Sequence, residues 1–390
     1  MKLSIPHINQ SDINSINKVL SSGWISTSSN IVREFEKRIS NFCKTKYSVA
    51  LNSGTSAIHL GLKVLGVGKD DEVIVPSSTF IATVNPVIYL GAKPIFFDVD
   101  EQHNLKIDDV VNFIKNQTIF KNNKTINKKT KKIIKVIIVA HIWGRACNFN
   151  ALKKLCKKLN IFILEDAAEA LGTFVKTNSL KHCGSIGDIG CLSFNANKII
   201  TTGSGGAIIT NNKKIYDRVQ YLSNQAKDDP YSYIHNDCGY NYKMNGICAA
   251  LGISQLRRLK SKIKLRKKLH EKYILNFKFV KDIKILKFKK NLISNYWMNI
   301  ITFDKLSFKE TYNISQKLLK KNIQTRRVWR PLHLQKHLTK FQKHKIKYAN
   351  KIYTNSLCLP SDDNISDLQI DKISHLIKRY YKEIINNYQK

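Results

Sequence analysis

Short apolar runs rich in β-branched residues alternate with amphipathic stretches between residues 49 and 210, and this alternation limits the folds open to the chain. Strands are predicted at residues 72–75, 94–98, 135–140, 161–165, 191–194 and 207–210, and helices at 56–65, 107–115 and 150–159. Strands separated by helices need right-handed crossovers, which give a mostly parallel sheet covered on both faces. The first part of the chain is therefore predicted to be an α/β domain.

The pattern changes after residue 239. A long helix is predicted over 246–277, because apolar residues recur there with a helical period and the opposite face is strongly basic. Further runs indicate a smaller α+β domain, with strands at 283–288 and 296–303 and helices at 308–321 and 366–388. We therefore predict a large domain, 1–245, and a small domain, 246–390, with the segment before residue 16 able to pack against the small one.

The chain is strongly basic, with 66 Lys and Arg against 28 Asp and Glu and a formal net charge of +38. Such a charge is typical of proteins that bind nucleic acid or another polyanion. The lysines, however, are spread along the whole chain among many Asn and Ile residues, which a compositional drift explains equally well. We do not expect nucleic acid as a partner, and we interpret the basic insert at 121–135 as a solvated excursion.

Several other classes of protein and site are disfavoured. The N-terminus lacks the apolar core of a signal peptide, and no apolar run approaches the ~20 residues that cross a bilayer. A cytoplasmic protein without a membrane span is therefore expected. The eight cysteines form no CxxC pair, and His182 beside Cys183 has no partner at a metal-ligand spacing, so neither a disulfide framework nor a metal site is predicted.

The most informative segment runs from residue 161 to 210. One predicted strand ends in Glu165 and Asp166, and the next ends in Ser193 and Phe194, shortly before Lys198 and the glycine-rich turn 203–206. Side chains at the carboxyl ends of parallel strands meet at the edge of the sheet that binds ligands. An acid and a lysine at this edge are what pyridoxal-phosphate chemistry requires, since the lysine binds the cofactor covalently and the acid faces the pyridine nitrogen.

A phosphate site is predicted at Gly54, Thr55 and Ser56, before the helix at 56–65. Gly54 permits close approach of the backbone, the two hydroxyls can donate, and the start of a helix presents free N–H groups to an anion. Taken alone, such a loop is more often an ordinary helix cap. The acid, the lysine and this loop support one another because they occur in one chain and in this order.

Five segments resemble the sugar aminotransferases of the DegT/DnrJ/EryC1/StrS family: LNSGTSAIHLGL, DEVIVPSSTFIATVNPVIYLGAKPIFFDVD, EDAAEALGT, GDIGCLSFNANKIITTGSGGAIIT and GYNYKMNGICAALGISQL. The resemblance covers residues 5–359. It implies a fold-type I pyridoxal-phosphate enzyme, similar to aspartate aminotransferase. Relatives with His in place of the lysine are dehydratases, so Lys198 favours transamination.

The resemblance also implies roles for single residues. Lys198 matches the Schiff-base lysine, and Asp166 matches the acid paired with the pyridine nitrogen. Phe80 matches the aromatic residue that stacks on the cofactor ring, and Thr55, Ser56 and Ser193 match the phosphate contacts. Asn241 matches a residue that reaches the cofactor phosphate from the neighbouring subunit, which implies a homodimer with shared active sites.

The chain departs from the family pattern at three positions. Glu169 stands near the cofactor where many members have His or Gln, and its carboxylate could tune the ring oxygen or the proton transfer. Lys243 replaces the usual Arg and loses a bidentate fork. Gly246 replaces an Asp, Glu or Asn, which leaves open how the following helix is capped.

For the acceptor, similarity is greatest to enzymes of legionaminic-acid and bacillosamine synthesis, which implies transfer from glutamate to C4 of a UDP-4-keto-6-deoxy-N-acetylhexosamine. Candidate contacts to the nucleotide sugar are Trp24, Ser26, Arg33, His235, Arg326, Arg330 and His333. GDP-4-keto-6-deoxymannose, the precursor of perosamine, is the nearest alternative, followed by dTDP-3-keto sugars. A lyase or synthase acting on amino acids and a noncatalytic polyanion-binding protein remain open.

Overall fold

The structure is a computed structural model that describes residues 1–176, 179–288 and 292–388. The helices are α1 (Gln10–Ser21), α2 (Asn30–Cys43), α3 (Gly54–Val64), α4 (Asn85–Tyr89), α5 (Ile107–Gln117), α6 (Asn150–Lys158), α7 (Lys213–Ser223), α8 (Gly246–Arg257), α9 (Leu259–Phe277), α10 (Phe308–Leu319), α11 (Tyr348–Asn355) and α12 (Asp367–Asn387).

The strands are β1 (Tyr47–Leu51), β2 (Glu72–Pro76), β3 (Lys93–Phe97), β4 (Thr118–Lys121), β5 (Lys124–Asn127), β6 (Ile134–Ala140), β7 (Phe162–Asp166), β8 (Phe174–Lys176), β9 (Leu180–His182), β10 (Ile189–Ser193), β11 (Gly206–Thr210), β12 (Lys227–Asp229), β13 (Ile234–His235), β14 (Ile283–Ile285), β15 (Leu292–Ile293), β16 (Ile300–Phe303), β17 (Arg326–Arg327), β18 (Lys343–His344) and β19 (Ser356–Cys358).

An eight-stranded sheet ordered β1-β11-β10-β7-β6-β2-β3-β18 forms the centre of the larger part of the molecule. The strands from β10 to β18 are parallel, and β11 runs antiparallel to both of its neighbours. Side chains of β2 enter both faces: Val73 and Val75 pack with α3 and α4, whereas Ile74 packs with α5 and α6. The predicted α/β class with a mostly parallel sheet is confirmed.

The register of the sheet brings the carboxyl ends of three neighbouring strands together. Ala140 at the end of β6 pairs with Asp166 at the end of β7, and Asp166 pairs with Cys191 of β10. Strand β10 then ends at Ser193. The predicted ligand-binding edge is therefore built from β6, β7 and β10.

A smaller antiparallel sheet, ordered β14-β16-β19-β17, lies in the second part of the chain. Helices α9, α10 and α12 pack on it around a core that includes Tyr273, Phe303, Leu357 and Ile377. The N-terminal segment contacts this part, since the N–H groups of Leu3 and Ile5 donate to the side chains of Gln324 and Asp362.

The division of the chain at residue 245 stays a prediction, and two elements cross it. Helix α8 packs against α1 and α2, and β18 is the edge strand of the large sheet beside β3. The single long helix predicted over 246–277 is wrong, because Arg258 separates α8 from α9. Its guanidinium pairs with Asp12 of α1, where α8 lies, while α9 continues into the small core.

The basic insert at 121–135 is more ordered than predicted. Strands β4 and β5 form an antiparallel hairpin there. Asn127, at its end, is buried and donates from Nδ2 to Glu72 Oε2 of β2 at 2.8 Å. The insert is therefore a hairpin anchored to the sheet with lysines on its surface. In the part of the chain that the structure describes, no helix is both long and apolar enough to span a bilayer.

Candidate active site

A cavity of about 340 Å³ opens at the carboxyl ends of β6, β7 and β10. Its wall contains most of the residues predicted to bind the cofactor and one predicted to bind substrate: Gly54, Thr55, Phe80, Asp166, Glu169, Ser193, Lys198 and Arg326. A concave site with a few convergent polar groups is typical of small-molecule binding. The structure thus brings together groups that lie up to 272 residues apart in the chain.

Asp166 presents a partly satisfied carboxylate to this cavity. Its Oδ2 accepts a hydrogen bond from Thr83 Oγ1 at 2.6 Å, and its Oδ1 accepts the N–H of Ala168 at 3.1 Å. An ionised carboxylate can accept about four hydrogen bonds. Asp166 therefore keeps acceptor capacity toward a ligand.

Lys198 lies in the turn after β10, between a carboxylate and an indole ring. Its Nζ is 3.5 Å from Glu169 Oε1 and 4.6 Å from the centre of the Trp297 ring. Glu169 Oε2 also accepts the backbone N–H of Trp143 at 2.8 Å. Burial raises the pKa of Glu169, and the positive charge of Lys198 opposes that shift.

The start of α3 offers the predicted anion site. Gly54 and Thr55 are its first residues, and the first N–H groups of a helix have no partner within the helix. A Cβ added at Gly54 would lie 2.9 Å from Ser193 Cβ, so glycine permits the close approach of α3 to β10. Ser56 does not line the cavity: its O–H donates to Asn52 Oδ1 at 2.6 Å and its N–H to Ser53 Oγ, so it secures the loop, and its contact with the phosphate stays a prediction.

The glycine-rich turn packs directly on this loop. A Cβ added at Gly206 would lie 2.4 Å from the backbone of Ser53, which only a glycine avoids. Ser204 Oγ donates to the carbonyl of Asn52 at 2.7 Å. The segments around residues 54 and 205 therefore form one wall of the cavity.

An aromatic wall faces the polar groups. Phe80 is 49% exposed and lies 5.0 Å from Trp329, measured between ring centres. Trp329 stacks on Trp143 at 5.1 Å with an angle of 21° between the rings. An exposed ring at the cavity is available to stack on a planar ligand.

Glu165, next to Asp166, is fully buried on the other side of β7. Its Oε2 accepts from His141 Nε2 and from the N–H of Gly184, both at 2.8 Å, and its Oε1 accepts the N–H groups of Ile186 and Gly187. Burial by itself would raise the pKa of Glu165, but these hydrogen bonds lower it below its ordinary value. Glu165 is thus a structural acid.

The structure places the other predicted substrate contacts outside the cavity of their own chain. Trp24, Ser26 and Arg33 are exposed on α2 and the loop before it. His235 and Arg330 are exposed and interact with the backbone carbonyls of Gln225 and Leu334, respectively. His333 is buried, with Nδ1 2.6 Å from Ser77 Oγ, and its contact with the substrate stays a prediction. Asn241 is also exposed, and its carbonyl accepts from Asn52 Nδ2 at 3.2 Å.

The two remaining departures from the family pattern have local explanations. Lys243 Nζ lies 2.6 Å from Gln220 Oε1 and 3.1 Å from Glu36 Oε1, so a single ammonium serves two acceptors. Helix α8 is capped by Asn245, whose side chain accepts the N–H of Cys248 at 2.9 Å. Gly246 leaves room for the loop before α2, because a Cβ there would lie 3.2 Å from the carbonyl of Trp24.

Several site residues were missed from the sequence. They are Thr83, which binds Asp166, and the tryptophans Trp143, Trp297 and Trp329. The scarcity of tryptophan, four in 390 residues, is the one signal that could have singled out the three rings. Thr83 lies within the quoted segment SSTFIATVN but carries no motif of its own.

Comparisons with known proteins agree with this geometry. The model of the DegT/DnrJ/EryC1/StrS aminotransferase family matches residues 6–378. The chain belongs to that family. A GDP-perosamine synthase of Escherichia coli O157:H7 is 34% identical over 94% of this chain and 95% of its own length. A UDP-4-amino-4,6-dideoxy-N-acetyl-beta-L-altrosamine transaminase of Campylobacter jejuni is 32% identical over 73% of this chain and 72% of its own.

A solved structure supports the fold and the cofactor. A Streptococcus pneumoniae protein described as a sugar aminotransferase, in its PLP form, superposes with a TM-score of 0.87 and is 28% identical, with 98% of this chain and 99% of that chain covered. The predicted fold type, the predicted enzyme class of pyridoxal-phosphate-dependent sugar aminotransferase and the predicted cofactor are confirmed.

The residues present fit this cofactor. Lys198 Nζ lies in the cavity, Asp166 keeps acceptor capacity for a protonated ring nitrogen, and Phe80 offers an exposed ring. The start of α3, where Gly54 lines the cavity, suits the phosphate.

Proposed function

We propose that the chain moves an amino group from glutamate to C4 of a nucleotide-linked 4-keto-6-deoxyhexose. The observation that carries the proposal is the convergence of Lys198, Asp166 and the start of α3 on one cavity. Relatives that act on GDP- and UDP-linked sugars support the acceptor class. Family membership favours this enzyme over a noncatalytic polyanion-binding protein.

Two acceptors within this class differ in the nucleotide and in the substituent at C2 of the sugar. The resemblance to enzymes of legionaminic-acid and bacillosamine synthesis favours UDP-4-keto-6-deoxy-N-acetylhexosamine. The GDP-perosamine synthase, however, matches 94% of the chain, and the UDP-sugar transaminase 73%. The wider match favours GDP-4-keto-6-deoxymannose, and the UDP-linked sugar is the second candidate.

Lys198 is proposed as the group that binds the cofactor and moves the proton. When bound, pyridoxal phosphate supplies an electron-accepting ring that stabilises negative charge at the carbon that loses its proton. Among the described residues, Lys198 is the only Lys, Arg or His whose side-chain nitrogen lies within ion-pair distance of Glu169. It is partly shielded from water by the Trp297 ring, which suits an amine that must accept and return a proton.

Glu169 is proposed to orient the Lys198 amine. Its two oxygens have separate partners, since Oε2 accepts the Trp143 N–H and Oε1 faces Lys198. The first contact fixes the carboxylate, so the second can direct the ammonium. A His or Gln at this position would not carry the negative charge that attracts a protonated amine.

The acceptor is proposed to enter beside Arg326. This guanidinium lies on the cavity wall, and a guanidinium suits a diphosphate because it can donate two parallel hydrogen bonds. The homodimer with shared sites also belongs to the proposal. Asn241 and Trp24 are exposed and outside the cavity of their own chain, as expected of residues that act in a neighbouring subunit.

The decisive experiment separates the two halves of the reaction. The holoenzyme is first converted with glutamate to the amine form of its cofactor, which changes the visible spectrum, and is then freed of amino acid. GDP-, UDP- and dTDP-linked keto sugars are added separately, and recovery of the original spectrum identifies the acceptor. We expect recovery with the GDP-4-keto sugar; recovery only with the dTDP-3-keto sugar, or with none, would contradict the proposal.

Arg326→Gln tests the acceptor site against a matched control, Arg379→Gln, which removes an exposed guanidinium paired with Glu383 on α12, outside the cavity. The first variant should raise the KM for the nucleotide sugar roughly tenfold and leave the half-reaction with glutamate unchanged, because only the diphosphate contact is lost. The control should change neither.

A further inference from the structure

Two buried threonines form a short chain of hydrogen bonds that ends on Asp166. Thr83 Oγ1 lies 2.6 Å from Asp166 Oδ2, and Thr79 Oγ1 lies 2.9 Å from Thr83 Oγ1. The two threonines are 2% exposed or less. Their hydroxyls therefore exchange few hydrogen bonds with water, and their partners are fixed by the fold.

The donor and acceptor in each of these hydrogen bonds follow from the chemistry of the last group, the Asp166 carboxylate. An ionised carboxylate only accepts hydrogen bonds, so the single proton of the Thr83 hydroxyl goes to Asp166. Thr83 can then only accept from Thr79. The order is Thr79 to Thr83 to Asp166, and hydrogen bonds in such a chain strengthen one another.

The two oxygens of Asp166 are thereby made unequal. Oδ2 is held by a short bond from a fixed hydroxyl, whereas Oδ1 receives only the longer bond from the Ala168 N–H among the described residues. A donor on Oδ2 stabilises the anion and stops the carboxylate from rotating. Each oxygen holds one hydrogen bond and can accept another, and Oδ1, whose donor is the weaker one, is the better acceptor for a further N–H.

The threonines also belong to the segment that carries the aromatic wall. Thr83 ends a short 3₁₀ helix, Ile81–Thr83, and its N–H donates to the carbonyl of Phe80 at 3.0 Å. The ring of Phe80 and the hydroxyl of Thr83 are thus fixed by one turn. Any planar ligand between them would meet a ring and an oriented acid whose positions are coupled.

We propose that Thr83, supported by Thr79, is a positioning residue that fixes the Asp166 carboxylate and directs its Oδ1 to the ring nitrogen of the cofactor. This inference rests on the proposed part of Asp166 in binding that nitrogen. An anionic Asp166 keeps the proton on the ring nitrogen, and the ring then accepts electrons best. Loss of the donor should let the proton shift toward the carboxylate.

Three other titratable groups lie near Asp166. Glu169, in the loop after β7, and Cys191, on β10, both interact with the charge of Asp166, and Lys198 lies next to Glu169. Burial raises the pKa of the Cys191 thiol, so it stays neutral. Glu169 and Lys198 are unchanged in the variants below and act as a constant background.

The test compares Thr83→Val, which keeps the shape and removes the donor, with Thr83→Ser, which keeps the donor. Cofactor affinity is measured by titrating the apoenzyme with pyridoxal phosphate, and the spectrum of the bound cofactor is followed from acid to alkaline pH. We expect Thr83→Val to bind the cofactor about tenfold more weakly and to lose its protonated-ring spectrum at lower pH. Thr83→Ser should restore both properties to near the original values.

Two further variants keep the test decisive. Thr79→Val removes only the outer bond and should shift both readouts in the same direction by less, even if Thr83→Val folds poorly. Thr302→Val is the control, since its hydroxyl contacts Ser356 at 2.9 Å in the small sheet, and it should alter neither readout. Unchanged affinity and an unchanged pH titration in Thr83→Val, or in Thr79→Val where the first does not fold, would overturn the proposal.

These measurements use no sugar, so an error in the acceptor leaves them unaffected. If the Lys198→Ala holoenzyme kept the spectrum of the original protein, the result would contradict the proposed function itself. If the spectrum depends on Lys198 but not on Thr83, only the present inference fails.

Discussion

Glu165 and Asp166 are consecutive acids at the end of β7, and they lie in two different environments. Glu165 points into the protein, where His141 and three backbone N–H groups donate to its two oxygens. Asp166 points to the cavity and has two donors, Thr83 and the Ala168 N–H. Successive residues of a strand face opposite sides of the sheet, so neighbours of the same chemistry come to serve different purposes.

A structural acid and an acid that can bind a ligand differ in how fully the protein satisfies the carboxylate oxygens. The region around Glu165 satisfies the carboxylate completely and holds β6, β7 and the loop 184–187 together. The region around Asp166 leaves acceptor capacity where a ligand fits. Substitutions on the cavity side should therefore cost activity, and substitutions on the buried side should cost stability.

The largest effect is expected at Lys198. Lys198→Ala should lower transamination by at least about a thousandfold, because it removes the residue proposed as both covalent anchor and proton carrier. The visible spectrum of the lysine-bound cofactor should disappear, while unfolding of the apoenzyme in urea changes little. Turnover or a spectrum like that of the original protein would show that the cavity has been wrongly assigned.

Asp166→Asn should come next, with kcat/KM reduced by about a hundredfold. The amide is nearly the same size but cannot stabilise a protonated ring nitrogen. Because Asp166 accepts only two of the roughly four hydrogen bonds open to a carboxylate, the free energy of unfolding of the apoenzyme should change by less than about 1 kcal/mol. A loss of stability as large as that of a Glu165 variant would erase the contrast between the two acids.

Glu165→Gln should show the opposite balance. The neutral amide cannot accept from all four donors, and leaving buried groups unpaired should cost about 3 kcal/mol of unfolding free energy. The kcat of the folded protein should fall by no more than about threefold. Glu34→Gln, at an exposed ion pair with Arg38, is the matched control and should cost under about 0.5 kcal/mol.

The smallest effect concerns pH. Burial raises the pKa of Glu169 above its ordinary value of 4.5, so the folded apoenzyme holds a proton that the unfolded chain releases. Stability is therefore lost as pH rises from 4.5 through the raised value. Glu169→Gln should make the free energy of unfolding fall less steeply over this interval. Identical slopes for the two proteins would contradict the assignment of a raised pKa.

Much of the fold was predictable because its signals are local. The strands at 72–75, 135–140 and 207–210 were each found to within one residue at either end, since apolar runs bounded by polar residues suffice to define them. The break at Arg258 was not predictable. Helical periodicity continues through it, and the break reflects the separate packing of α8 on α1 and of α9 in the small core.

The residues of the candidate site also fall into two groups, those that the sequence predicted and those that it did not. Lys198, Asp166 and Gly54 stand in segments whose resemblance to a family is strong, and the structure brings them to one cavity. Trp297 reaches Lys198 across 99 positions from the second part of the chain, with no local pattern to announce it. Of seven basic, aromatic or polar candidates for the acceptor, only Arg326 lines the cavity, because residue type alone does not say which surface a side chain occupies.

Three of the four indole rings lie at or next to the cavity: Trp329 lines it and stacks on Trp143, and Trp297 lies over the Lys198 amine. The fourth, Trp24, is 61% exposed. Intrinsic fluorescence should therefore come from two populations, a solvent-exposed emitter and an interior group close enough to the coenzyme for energy transfer. The emission of the interior group would then report loading and exchange of the vitamin in real time, without an attached dye.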